Sequence, residues 1–91
     1  MNTLYKIHVA SAGTSRTNIE TIVGRFFTGF TAYKATGHWE GQIEACVVIE
    51  ILIENDTADE TKIEDLVKAL KTQFVQDRVL VVQLPCEASF E

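Results

Sequence analysis

Ninety-one residues with a net charge of −5 suffice for one hydrophobic core and no second domain, so the chain reads as a single unit over 1–91 with a short tail at 86–91. Its eight lysines and arginines are scattered, apart from a loose Lys62, Lys68, Lys71 set on one helix face; phosphate binding needs them clustered, which excludes nucleic acid as the partner. The longest apolar run, Ala45 to Ile49, is far short of a bilayer span, and Met1-Asn2-Thr3 leads straight into strand-like residues without a secretory leader, so a cytoplasmic protein off the membrane is expected.

Cys46 and Cys86 are too few for a disulfide framework and show no CxxC or Cys/His spacing. A reduced compartment, no metal and no cofactor follow as expectations. A chain this small buries a modest share of its surface, so self-association is the expected source of further burial.

In chain order, Leu4 to Ala10 alternates, with Tyr5, Ile7 and Val9 on one face and Lys6, His8 and Ala10 on the other, the pattern of a half-buried strand. Ser11-Ala12-Gly13-Thr14-Ser15 is a turn of small residues. Thr17 with Glu20 reads as a capping box, and Ile19, Ile22, Val23, Phe26 and Phe27 make one helical stripe that Gly29 ends. Phe30 to Lys34 is a second strand, followed by a turn or bulge over Gly37–Gly41. A long third strand runs from Ile43 to Glu54. Ala45, Val47, Ile49, Ile51 and Ile53 share one of its faces, and Glu44, Cys46, Val48, Glu50 and Leu52 the other. Asn55-Asp56-Thr57 breaks it. Thr57 with Glu60 forms a second capping box ahead of the stripe Ile63, Leu66, Val67, Leu70 and Phe74. Arg78 to Leu84 is a last strand, stopped by Pro85.

The order β-α-β-β-α-β with short, right-handed connections predicts an α+β, ferredoxin-like sandwich: a four-stranded antiparallel sheet with both helices on one face. The other face mixes Cys46, Val48 and Leu52 with Glu44 and Glu50. Apolar residues on an open sheet face predict subunits packed sheet to sheet.

Little in the chain carries chemistry outright. There is no GxGxxG, P-loop, HExxH or nucleophilic triad. His8 and His38 are two histidines without a converging ligand set, and Cys46 and Cys86 read as apolar fillers. The informative stretch is Tyr33 to Glu44, which sets a phenol, an indole (Trp39) and two carboxylates (Glu40, Glu44) around a hairpin. Pairing across that hairpin is expected to bring Tyr33 and Glu44 near each other. On the residues alone two readings stand: a ligand site, or a Trp39 that caps the core beside carboxylates that keep a strand edge soluble.

The run Gly37-x-Trp39-x-Gly41-x-x-Glu44, entering a long Val/Ile strand, resembles the PII-like trimeric variant of the ferredoxin fold. Within that group the chain is similar to the bacteriophage-encoded S-adenosylmethionine lyases, formerly described as hydrolases. Three segments carry the likeness: Val9-Ala10-Ser11-Ala12-Gly13 with Arg16 and Asn18 behind it, the spacing of Tyr33 and Glu44, and Gln76-Asp77-Arg78-Val79-Leu80-Val81. Those lyases can carry further C-terminal residues that have no counterpart in this chain. The resemblance implies a homotrimer, in the host cytoplasm if phage-encoded. It also implies an S-adenosylmethionine site between subunits, where the substrate's own carboxylate closes a lactone and expels 5′-methylthioadenosine. By that likeness Glu44 and Tyr33 are the catalytic residues, and Ser11, Ala12, Gly13 and Trp39 bind substrate. The other implied class is a non-catalytic PII-like module that holds a small ligand or serves a phage as an interaction protein. An RNA-binding ferredoxin-like domain is disfavoured by the acidic charge and the lack of an aromatic RNA-binding strand.

Overall fold

The computed structural model describes residues 2–11, 13–54, 57–76 and 78–91. Ala12 and the Asn55-Asp56 part of the expected turn lie outside them, as do Met1 and Asp77. The elements run β1 (Asn2–Ala10), α1 (Arg16–Val23), β2 (Thr31–Trp39), β3 (Gln42–Glu54), α2 (Thr57–Gln73) and β4 (Leu80–Cys86). The strands form one sheet in the order β2-β3-β1-β4, every neighbouring pair antiparallel. This is the ferredoxin-like arrangement the element order implies.

One face of the sheet meets both helices. Tyr5, Ile7 and Val9 of β1 and Val47, Ile49, Ile51 and Ile53 of β3 pack there against Ile19, Ile22 and Val23 of α1 and Ile63, Leu66 and Leu70 of α2. β1 and β3 are the central strands, which is why they carry the strictest apolar alternation. Each such side chain, fully buried, stabilises the fold by about 1.5–3 kcal/mol. Ala45, expected on this face, is exposed because it lies toward the free end of the hairpin, beyond the reach of the helices.

The helix termini differ from expectation by a few residues. α1 begins after Ser15, whose Oγ accepts from the Asn18 N–H at 3.2 Å; Thr17 is thus inside the first turn, and its carbonyl accepts from the Thr21 hydroxyl. α1 also stops at Val23 with Gly24 as its cap, well before Gly29. Phe26 and Phe27 keep their inward positions past that end, partly buried against the core. Thr57 is the first helical residue of α2 rather than the residue before it. At the far end of α2, the Gln76 N–H reaches the Lys71 carbonyl at 2.9 Å while Val75 sits at φ 51°. That is a Schellman closure with a β-branched residue where glycine is favoured.

The hairpin between β2 and β3 is longer and tighter than the expected turn over Gly37–Gly41. Trp39 pairs with Gln42, and only Glu40 and Gly41 turn the chain, at φ 49° and 80°. Two consecutive positive φ values give the turn twist that two-residue hairpins favour.

Candidate ligand groove on the open sheet face

The register lays out the uncovered face in rows across the strands. Leu52, Leu4 and Leu84 form one row; Thr31, Glu50, Lys6 and Val82 the next; Tyr33, Val48, His8 and Leu80 the third; Ala35, Cys46 and Ala10 the fourth. Beyond these stand Gly37 opposite Glu44 and Trp39 opposite Gln42. The large side chains of the third row stop where the alanines and Cys46 begin. Trp39 and Glu44 rise again at the far end. The dip between them is a groove of about 910 Å³, and its lining includes His8, Trp39, Glu44, Cys46, Gln76 and Arg78. That volume falls in the range of small-ligand sites.

Trp39 takes its place because Gly37 has no side chain. A Cβ added at Gly37 would fall 2.6 Å from the indole Nε1 and 3.3 Å from Cε2, so the ring lies across the strand over Gly37. Gly37 in turn faces Glu44 across the ladder. The spacing Gly37-x-Trp39 is therefore a packing device that lays an aromatic face, 48% exposed, beside a carboxylate. Glu44 is half-buried and finds no hydrogen-bond or ion-pair partner among the described residues. Its charge, after the larger effect of burial, raises the Cys46 thiol above its ordinary pKa. Cys46 at the groove floor is thus held protonated and inert.

The opposite wall comes from the α2–β4 connection. The Gln76 amide donates to the Ala10 carbonyl at 2.7 Å, tying that connection to the end of β1 directly after the left-handed Val75. Arg78 follows, exposed at the groove edge, with no ion-pair partner among the described residues. The described lining holds two carboxylates, Glu40 and Glu44, and one guanidinium, Arg78. Counted as two carboxylates against one guanidinium, its formal charge is −1.

Tyr33 stands elsewhere. It pairs with Val48, whereas Glu44 pairs with Gly37, which separates the two residues by four positions, about 13 Å along the strand. The expected closeness of Tyr33 and Glu44 does not occur within one chain, because the turn lies two residues later than a Tyr33–Glu44 pairing requires. The phenol instead donates to Glu50 Oε2 at 2.6 Å, and Lys6 Nζ lies 3.8 Å from the same oxygen. That hydrogen bond, then burial and the Glu50 charge, raises the Tyr33 pKa above its usual value near 10. Ser11 extends the ladder by donating its N–H to the Ala45 carbonyl at 3.0 Å, and its own carbonyl accepts from the Thr14 N–H across a turn with Gly13 at φ 75°. Neither Ser11 nor Gly13 lines the groove. The structure thus brings together Trp39 and Glu44, and adds His8, Gln76 and Arg78, which the sequence reading did not place in a site. Among the described residues no three His, Cys, Asp or Glu side chains converge as a metal site, and no helix is long and apolar enough to cross a membrane.

Cys46 and Val48 correct the expectation of a mixed surface open to water. Although they point away from the helices, they are 6% and 2% exposed within the single chain. Val48 is flanked by Tyr33 and His8. Besides the aromatic rings of Tyr33 and Trp39, the apolar surface left open includes Leu52, Leu80 and Leu84, each about two-fifths exposed.

Solved structures with this architecture define the class. A phage S-adenosylmethionine lyase in its apo state superposes with a TM-score of 0.70 at 23% identity, covering 90% of this chain and 78% of the lyase. A phage lyase in complex with S-methyl-5′-thioadenosine gives 0.58 at 24% identity, with coverages of 91% and 80%. CPII, a nitrogen regulatory PII-like protein from Thiomonas intermedia K12 bound to ADP, AMP and bicarbonate, gives 0.59 at 14% identity, covering 96% of each chain. The fold is the PII-like form of the ferredoxin-like sandwich. No curated protein matches the chain. Residues 6–90 match the family described as "Protein of unknown function (DUF3574)", and the chain belongs to that family.

Proposed function

We propose that this protein binds S-adenosylmethionine in the groove of the open sheet face and cleaves it by intramolecular lactonisation. The observation that carries the reading is the unpaired Glu44 carboxylate beside the Trp39 indole, in a groove whose described lining sums to −1. S-adenosylmethionine carries an ammonium, a sulfonium and a carboxylate, a net +1. The match in charge sets it apart from nucleoside di- and triphosphates, which would bring several negative charges to the same wall. The phage lyases of like fold support the choice of ligand.

The reaction asks little of the protein. One oxygen of the substrate's carboxylate attacks its own γ-carbon, the C–O bond forms, and the γ-carbon–sulfur bond breaks with its electron pair passing to sulfur. The products are homoserine lactone and neutral 5′-methylthioadenosine. The sulfonium is already a good leaving group, so holding the folded conformer supplies the acceleration. Glu44 faces the cationic part of the substrate, and Trp39 offers its ring to the adenine or the sulfonium. No proton moves in the step, so it needs no nucleophile–base pair.

The groove is open on one side, and the exposed leucines next to it belong to the same face. We place this face against its copies in a homotrimer, so that a neighbouring subunit closes the groove. In that assembly we place Ser11 and Gly13, and the Tyr33–Glu50 pair, in the surround of the site, with Tyr33 directed to a neighbouring subunit's groove. Incubation with S-adenosylmethionine and chromatographic separation of the products tests the reading. Methylthioadenosine and homoserine lactone are expected. Binding by calorimetry without either product would replace the lyase with a PII-like ligand-binding module, for which CPII is the structural precedent.

A further inference from the structure

Arg78 is the one cation in the described lining of the groove, and it is unpaired among the described residues, as is Glu44 on the other side. Glu44 is on β3 and Arg78 two residues ahead of β4, with β1 between them. β3 and β4 are thus two strand spacings apart across the sheet, about 10 Å. The described floor between the two walls includes the small side chains of Ala10 and Cys46. Opposite charges that line one groove without pairing leave each of them in want of a counter-charge. A guanidinium is also the side chain suited to a carboxylate, which it can hold through two parallel N–H donors.

We propose that Arg78 is the specificity-determining residue for the carboxylate end of the ligand, and that Glu44 and Arg78 together select a zwitterionic amino-acid moiety. The inference rests on the S-adenosylmethionine reading and deepens it. Arg78 fixes which end of the ligand lies toward β4, and Glu44 takes the cationic centres toward the hairpin. The backbone supports this role. The Gln76 amide, bonded to the Ala10 carbonyl at 2.7 Å, and the closure of Gln76 N–H on Lys71 at 2.9 Å pin the segment from which Arg78 projects. A neutral or carboxylate-free ligand gains nothing from this arginine.

Calorimetric titrations of the full-length chain test the assignment, using S-adenosylmethionine and its decarboxylated analogue, which keeps the sulfonium and the amine. Arg78→Gln keeps a polar side chain with N–H donors, shorter than arginine, while removing the charge. It is expected to weaken S-adenosylmethionine binding 10- to 100-fold and to leave the decarboxylated analogue within 2-fold, while Glu44→Gln weakens both. Circular dichroism checks that each variant is folded, as expected for the exposed Arg78 and for the near-isosteric change at Glu44. An equal effect of Arg78→Gln on the two ligands, or no effect on either, overturns the assignment even if the wild type cleaves S-adenosylmethionine. Conversely, a wild type that binds without cleaving but keeps the contrast between ligands removes the lyase and leaves the clamp standing. If the wild type binds neither compound, both are overturned.

Discussion

Replacing Gly37 with alanine isolates the device that builds the groove's aromatic wall. Gly37 has no positive φ, so the backbone accepts alanine, and relief of glycine's entropy in a strand would by itself stabilise the protein by about 0.5–1 kcal/mol. Against this, the new Cβ would fall 2.6 Å from the Trp39 Nε1, far inside contact distance, and the indole must swing away. Trp39 is 48% exposed, so about half of a surface of roughly 200 Å² is covered, and uncovering all of it would cost about 2.5 kcal/mol at ~25 cal/mol per Å². The ring will find some new cover, so the two terms leave a net destabilisation of about 1 kcal/mol, and ~2 kcal/mol as the ceiling. Trp39 is the single tryptophan in the chain, which makes its emission a direct reporter. Gly37→Ala is expected to red-shift that emission, lower the denaturant midpoint slightly, and weaken S-adenosylmethionine binding. A variant that is more stable than wild type with unchanged emission would refute the packing of Trp39 over Gly37.

Further outcomes follow from individual residues. Val75→Gly is expected to stabilise the fold by about 1 kcal/mol in urea unfolding, because relief of a β-branched residue at φ 51° outweighs the added freedom of glycine in the unfolded chain. Leu52→Asp is expected to dissociate the proposed trimer in light scattering while leaving the monomer folded, whereas Val48→Asp is expected to unfold the chain itself, since Val48 is 2% exposed before any assembly. Cys46 has its pKa raised by burial first and the Glu44 charge second. Its alkylation is therefore expected to lag behind that of a free thiol at neutral pH, to rise only in more alkaline buffer, and to quicken in Glu44→Gln. Tyr33 also has a raised pKa, so its hydrogen bond to Glu50 contributes fully below pH 10 and is lost as the pH climbs through the folded value. Tyr33→Phe is expected to remove that alkaline dependence and, at neutral pH, to cost about 0.5 kcal/mol, the low end for a pair this exposed.

The fold was legible because its two central strands must face the helices. Tyr5, Ile7 and Val9, and then Val47, Ile49, Ile51 and Ile53, can alternate only one way, and the helical stripes of Ile19 to Val23 and Ile63 to Leu70 answer them. The ends of elements were less so. Phe26 and Phe27 continue the apolar spacing past α1 because the core needs their rings, whatever the backbone does. The sheet's open face misled for a related reason. Alternation says which way Val48 points, but its burial depends on Tyr33 and His8 in neighbouring strands, and cross-strand neighbours follow from register.

Register likewise decided the site. Gly37 reads as a turn residue, yet it serves as the bed for an indole within a paired strand, and the turn falls at Glu40-Gly41. A turn two residues later moves the partner of Tyr33 by four, from Glu44 to Val48. Trp39 and Glu44 stood out as candidates by residue type, and their roles came only from the resemblance. Arg78 and His8 did not, since they meet the hairpin only through the sheet order, which puts β1 beside β3 and the start of β4 beyond β1. The signal available for Arg78 was its place at the head of an edge strand next to the end of β1.

The most direct test of the central claim is to incubate the wild-type protein with S-adenosylmethionine in ¹⁸O-enriched water and to analyse the products by mass spectrometry. Intramolecular attack is expected to release methylthioadenosine together with an unlabelled homoserine lactone, and any homoserine formed later by ring opening should carry label in its carboxyl group alone. Label on the γ-oxygen would mean that water, not the substrate's carboxylate, attacks the γ-carbon, and absence of methylthioadenosine would contradict cleavage altogether.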